Sequence, residues 1–202
     1  MNPGTAPVST LLLLAIVGLS ALGLFAAPGL VERCLFRPYW FWRRGQYASA
    51  VTSAFVHADL GHLFFNGFTF WAFGFGLERA IGSARFALLY ATGLGASAIG
   101  TYYQHRQDPG YATLGASGAI LAVLFASIVY FPTSSIYVMP LPVPVPAPLF
   151  ALGYLAFTWY AARHLRGRVN HDAHLAGALA GIGFVALSDP AALARAWHLV
   201  LG

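Results

Sequence analysis

The residues of this chain that could carry chemistry are one serine, two histidines and an asparagine. Ser117 lies within Gly115-Ala116-Ser117-Gly118, His62 precedes Asn66 by four positions, and His174 lies far downstream. Each of these three clusters opens an apolar stretch. A hydroxyl, a base that can take its proton near neutral pH, and further hydrogen-bond donors are what acyl transfer needs. Gly115 and Gly118 let the backbone turn tightly and leave the Ser117 hydroxyl uncovered. A serine at a helix start has unpaired amides beside it, here those around Ala116 and Ser117, which could receive a developing oxyanion. His62 and Asn66 share one helix face, and both can donate. Taken singly, each has a plainer reading. Intramembrane serines commonly bond their own backbone, and His62 and Asn66 could bond each other or a loop carbonyl.

No carboxylate is obviously placed to orient His174. Asp172 is two residues away and points to another side of a helix. Glu78 and Asp189 fall at the far ends of their stretches, while Asp59 lies in a loop and could reach. A Ser117–His174 dyad is therefore expected rather than a triad. Metal binding is the rival use of His57, His62, His171 and His174, but no His-Glu-x-x-His motif or cysteine cluster is present. Cys34 is the single cysteine, which excludes an internal disulfide and leaves a small apolar filler.

The elements that must position these groups follow from composition. Of 202 residues, 58% are hydrophobic and 8% charged, too few charges to cover a water-facing surface, so lipid must take the place of water over much of it. The chain reads as an all-α polytopic bundle of six membrane spans, forming one domain over residues 1–202. The spans are expected at about 10–27, 62–77, 84–103, 117–131, 149–162 and 174–187. Met1–Pro7 has no Lys or Arg, so the first run reads as a retained span rather than a cleaved leader. Residues 32–60 mix Arg33, Arg37, Arg43 and Arg44 with Tyr39, Trp40 and Trp42, the composition of an interfacial loop. Pro132, Pro140, Pro142, Pro144, Pro146 and Pro148 divide the uncharged run after Tyr111 into two spans. Residues 191–200 read as a short amphipathic helix. Even-numbered spans all begin on one side, so His62, Asn66, Ser117 and His174 arrive at one end of the bundle. Gly177 and Gly181 would give the sixth span a flat face for close approach to the fourth.

All eleven basic residues are arginine. They are scattered between apolar runs, which excludes the continuous basic face of a nucleic-acid binder. With both termini inside, Arg79, Arg85 and Arg195 would be inside and the other eight outside. This runs against the positive-inside rule, though four of the eight sit in the one interfacial loop.

The set of motifs resembles the rhomboid family of intramembrane serine proteases over about residues 47–187. The resemblance rests on His62-x-x-x-Asn66, Gly115-Ala116-Ser117-Gly118 and Ala173-His174-Leu175-Ala176-Gly177, with Gly76-Leu77-Glu78-Arg79-Ala80-Ile81-Gly82-Ser83 at the end of the second span. It implies a serine endopeptidase that cleaves transmembrane segments of membrane proteins, with Ser117 as nucleophile and His174 as general base. His62, Asn66 and the Ala116 amide would form the oxyanion site, and His57 would be a packing residue. It implies no cofactor or metal, and a lateral gate formed by the fifth span and the loop before the sixth. It also implies a site toward the extracytoplasmic face, in a bacterial inner membrane as the arginine-only usage and lack of appended domains fit. Two departures stand out: Ala48-Ser49 replaces a Trp-Arg pair, and Leu121 stands where an aromatic residue supports the histidine. The alternative is a proteolytically inactive relative that binds membrane helices in quality control. A small transporter would show inverted repeats and mid-membrane polar breaks, and neither is seen.

Overall fold

The computed structural model describes residues 5–138, 143–165, 167 and 169–202. Among the described residues, ten α-helices and a small β-ribbon follow one another. They are α1 (Pro7–Ala21, continued as a π-turn over Leu22–Ala26), α2 (Pro28–Cys34), α3 (Pro38–Arg43), α4 (Ser49–Thr52), α5 (Leu60–Ile81), α6 (Ser83–His105) and α7 (Ser117–Tyr130), then β1 (Ser135–Tyr137), β2 (Pro144–Pro146), α8 (Ala147–His164), α9 (His171–Ser188) and α10 (Pro190–Leu201). Helices α1, α2, α3, α8 and α10 carry proline in their first turn, where its missing amide costs nothing.

α7 is the axis of the molecule. Its residues from Gly118 to Ile128 are all buried, as expected of a helix that is apolar on every side and surrounded by others. α5, α6, α8 and α9 pack around it. α9 comes closest, because a Cβ on Gly177 would overlap the Gly118 carbonyl and one on Gly181 would overlap that of Ala122. The glycine face expected to bring the sixth stretch against the fourth does so.

α5 runs four residues beyond the expected Leu77, and Glu78 is buried inside it rather than marking a water-facing end. Its carboxylate accepts the Val8 amide at 3.1 Å, the Ser9 amide at 2.6 Å and the Ser83 hydroxyl at 2.6 Å. Three donors and a helix N-terminus make burial of that charge tolerable. α9 begins three residues before His174, capped by Asn170, whose Oδ1 accepts the Ala173 amide at 3.0 Å. At its other end Asp189 caps α10, which turns away from α9 by 110°. The Ala192 amide holds the Asp189 carboxyl below the ordinary carboxylate range.

The structure is mostly helical but not purely so. β1 and β2 pair antiparallel, Ile136 opposite Val145, in the proline-divided stretch. Prolines there forbid helix, while Ile136, Val143 and Val145 favour extended backbone. Pro140 and Pro142 lie outside the described residues, as do Arg166 and Arg168. Among the described residues one helix, Pro7–Ala26, is long and apolar enough by itself to cross a membrane, and α9 with α10 passes that test only as a bent pair.

Candidate functional site

The first loop and the loop before α7 build the site together. Phe36 and Thr113 exchange backbone hydrogen bonds of 2.9 and 3.0 Å, and the Gly115 amide donates to the Ser53 carbonyl at 2.8 Å. This pins the segment that delivers Ser117. Gly115 has φ +117°, a conformation open to glycine, and a Cβ there would lie 2.5 Å from the His62 ring. His62 therefore stacks onto the backbone just ahead of the serine. Ser117 is the first residue of α7, so its own amide has no partner within the helix.

The Ser117 hydroxyl lies 2.8 Å from His174 Nε2, although the two residues are 57 apart in sequence. For the hydroxyl to donate across this contact, Nε2 must be unprotonated and the ring hydrogen must sit on Nδ1. Nδ1 faces the Tyr154 hydroxyl of α8 at 3.1 Å. Tyr154 is a contact of His174 that the sequence does not single out. It sits mid-helix in an apolar stretch, and only its place on α8 relative to His174 marks it out.

Asp59 does not reach His174. Its carboxylate accepts the His62 amide at 2.7 Å and caps α5, so the loop carboxylate expected as a possible orienting group is used to start a helix. Asp172 faces away as expected, and pairs with His105 of α6 at 3.2 Å.

Asn66 and Ala116 converge on His57. Asn66 Nδ2 donates to His57 Nε2 at 2.9 Å, and the Ala116 amide donates to the same nitrogen at 3.4 Å. With Nε2 accepting, Nδ1–H donates to Ser20 Oγ at 2.9 Å, and that hydroxyl donates to the Phe55 carbonyl at 3.3 Å. His57 is wholly buried. Burial first, and then the neighbouring His62, push its pKa down to about 4 against a weaker opposing pull from Asp59. It is thus a neutral acceptor that ties α1, α5 and the loop before α7 together. Asn66 keeps a second amide hydrogen for another acceptor.

A cleft of ≈ 280 Å³ opens from Ser117 and His174 between α5 and α8, walled by Phe68, Phe73, Phe150 and Tyr154. On the other side of Ser117 a smaller cavity of ≈ 40 Å³ is lined by Ser97, Thr101 and Asn170 among others. The arrangement offers a hydroxyl bonded to an imidazole, donors on its flank and an apolar approach from the side. Among the described residues no group of three or more His, Cys, Asp or Glu side chains is placed to hold a metal ion.

Comparison with known proteins gives one consistent picture. Residues 44–188 match the Rhomboid domain family. The chain is 39% identical to YdcA of Bacillus subtilis over 79 residues, 39% of each chain. It is 36% identical to rhomboid protease GluP of the same organism over 83 residues, 41% of this chain and 16% of that one. Against the mitochondrial Rhomboid protein 1 of Saccharomyces cerevisiae it is 30% identical over 141 residues, 66% of this chain and 40% of that one. The chain thus spans well under two thirds of the length of the relatives it matches.

Proposed function

The chain belongs to the rhomboid family, and from that membership together with the site geometry we propose that it is an intramembrane serine endopeptidase acting on transmembrane segments. The observation that carries this reading is the 2.8 Å approach of Ser117 Oγ to His174 Nε2. Ser117 Oγ attacks the scissile carbonyl carbon while its proton passes to His174 Nε2. The tetrahedral oxyanion is received by His62, the free Asn66 amide hydrogen and the amides at Ala116 and Ser117. The Ala116 amide exchanges its long bond to His57 for a shorter one to the oxyanion. The carbon–nitrogen bond then breaks, and the departing amine takes the proton from Nε2. Water repeats the sequence on the acyl-serine, giving a carboxylate and restoring the hydroxyl.

Rhomboid proteins are integral to the membrane, and in this chain we assign six spans to α1, α5, α6, α7, α8 and α9. α7 has 14 residues and rises about 21 Å, less than the roughly 30 Å of bilayer hydrocarbon. Its opening residue is therefore sunk below one surface, and the loops that hold it dip in to meet it. A transmembrane substrate reaches the hydroxyl sideways through the α5–α8 cleft. The membrane assigned is a bacterial inner membrane, with the Ser117 end extracytoplasmic.

The test is cleavage of a reporter transmembrane segment by the full chain in liposomes. Ser117→Ala and His174→Ala, each shown to be folded, are expected to lose at least about 10³-fold in kcat/KM. A serine-reactive fluorophosphonate should label the wild type and not Ser117→Ala. Cleavage undiminished by Ser117→Ala would overturn the mechanism. Equal inactivity of all three proteins would favour a helix-binding protein without peptidase activity.

A further inference from the structure

We propose that Tyr154 is the positioning residue of His174, its hydroxyl selecting the ring tautomer and orientation in which Nε2 faces Ser117. The bond is a geometric feature in its own right, while its consequence for rate rests on the peptidase reading above.

A neutral imidazole carries one hydrogen, on either nitrogen. Only the form with the hydrogen on Nδ1 can accept the Ser117 proton at Nε2. An acceptor opposite Nδ1 is what selects that form. Tyr154 Oη, at 3.1 Å, occupies that position. The other polar groups nearby are committed or badly placed. His171 on α9 approaches the His174 ring edge-on, with centroids 6.0 Å apart. Asp172 pairs with His105, and Asp59 caps α5. Asn170 donates to Thr101 and accepts from Ala173. His62 packs on Gly115. A phenol thus stands where a carboxylate stands in a triad.

The choice of a neutral acceptor has a physical reason. A carboxylate buried beside an imidazole at lipid depth carries a large desolvation penalty, which a phenol avoids. The Tyr154 ring is itself fixed, stacked on Phe150 at 5.6 Å and leaning on Phe125 at 5.8 Å. This aromatic support comes from α8 and stands in for the ring missing at Leu121. Tyr154 also walls the lateral cleft.

The experiment compares the full chain with Tyr154→Phe in liposomes, reading kcat, KM, thermal midpoint and the ring-nitrogen NMR of ¹⁵N-histidine-labelled protein assigned through His174→Ala. The wild type is expected to show His174 protonated at Nδ1. Tyr154→Phe is expected to show mixed tautomers and a kcat lower by about 10- to 100-fold, with KM within about twofold. A wild-type His174 protonated at Nε2 would overturn the proposal, whatever the activity. So would an unchanged tautomer and kcat in the folded variant. If Tyr154→Phe unfolds, the wild-type tautomer still decides. If wild type and Ser117→Ala are equally inactive, the peptidase reading fails while the NMR result stands by itself.

Discussion

His57 is the residue on which two of the proposed oxyanion donors meet. It accepts from Asn66 and from the Ala116 amide through one nitrogen and is anchored by Ser20 through the other. Accepting at Nε2 needs a neutral ring, and burial keeps it so by lowering its pKa from 6.5 to about 4. In the unfolded chain the same ring takes a proton near 6.5. Stability is therefore whole above that value and is lost as pH falls from about 6.5 toward 4, by about 3 kcal/mol over the window. The expected outcome is a thermal midpoint in detergent that drops over that interval. His57→Gln, which keeps a polar side chain but does not titrate, should lessen the drop. Equal acid sensitivity in both proteins would contradict this account. The resemblance implies a packing role for His57, and its burial agrees, while its hydrogen-bond partners come from three segments far apart in the chain.

At the scale of elements, the distance between α7 and α9 decides whether Ser117 and His174 meet. Gly177 and Gly181 abut the carbonyls of Gly118 and Ala122 with no room for a methyl group. Gly177→Ala must push α9 outward one turn from His174. Overpacking of this kind costs about 1–3 kcal/mol. We expect a lower thermal midpoint and a fall in fluorophosphonate labelling exceeding tenfold, since the Ser117–His174 bond stretches with the interface. Normal labelling by the variant would show that the helices adjust without moving the histidine. The helices themselves were legible from apolar runs, glycines and prolines, with ends shifted by a few residues. α5 ran past Leu77 because Glu78 is paired with the α1 N-terminus, a contact across 70 positions. The β-ribbon was missed because β1 and β2 hold three residues each, too short for an alternating pattern to register.

For the whole molecule, charge is lopsided. Arg33, Arg37, Arg43, Arg44, Arg106 and Arg163 lie at the Ser117 end, whereas Arg79, Arg85 and Arg195 lie at the other. Arg43, Arg44, Arg106 and Arg163 sit over the rings of Tyr39, Trp40, Tyr103 and Trp159, so these cations are seated in an aromatic interface. An interfacial belt of this kind is compatible with an extracytoplasmic site despite the arginine count. The buried Cys34 replaced by serine gives a cysteine-free background for a direct test. A membrane-impermeant maleimide is expected to label Gly110→Cys in intact spheroplasts, and His198→Cys only after lysis. The reverse pattern would place Ser117 toward the cytoplasm.

From the sequence alone came the set of candidate groups and the end of the bundle they share. Their types and the apolar runs they open are local properties, legible without knowing any neighbour. What the neighbours of each group are was decided only in three dimensions. Tyr154 against Nδ1, His57 beneath Asn66, and Asp59 spent on capping α5 all depend on how adjacent helices rotate and slide. A hydrogen bond lasts only over a few tenths of an ångström, a tolerance that periodicity and composition do not encode.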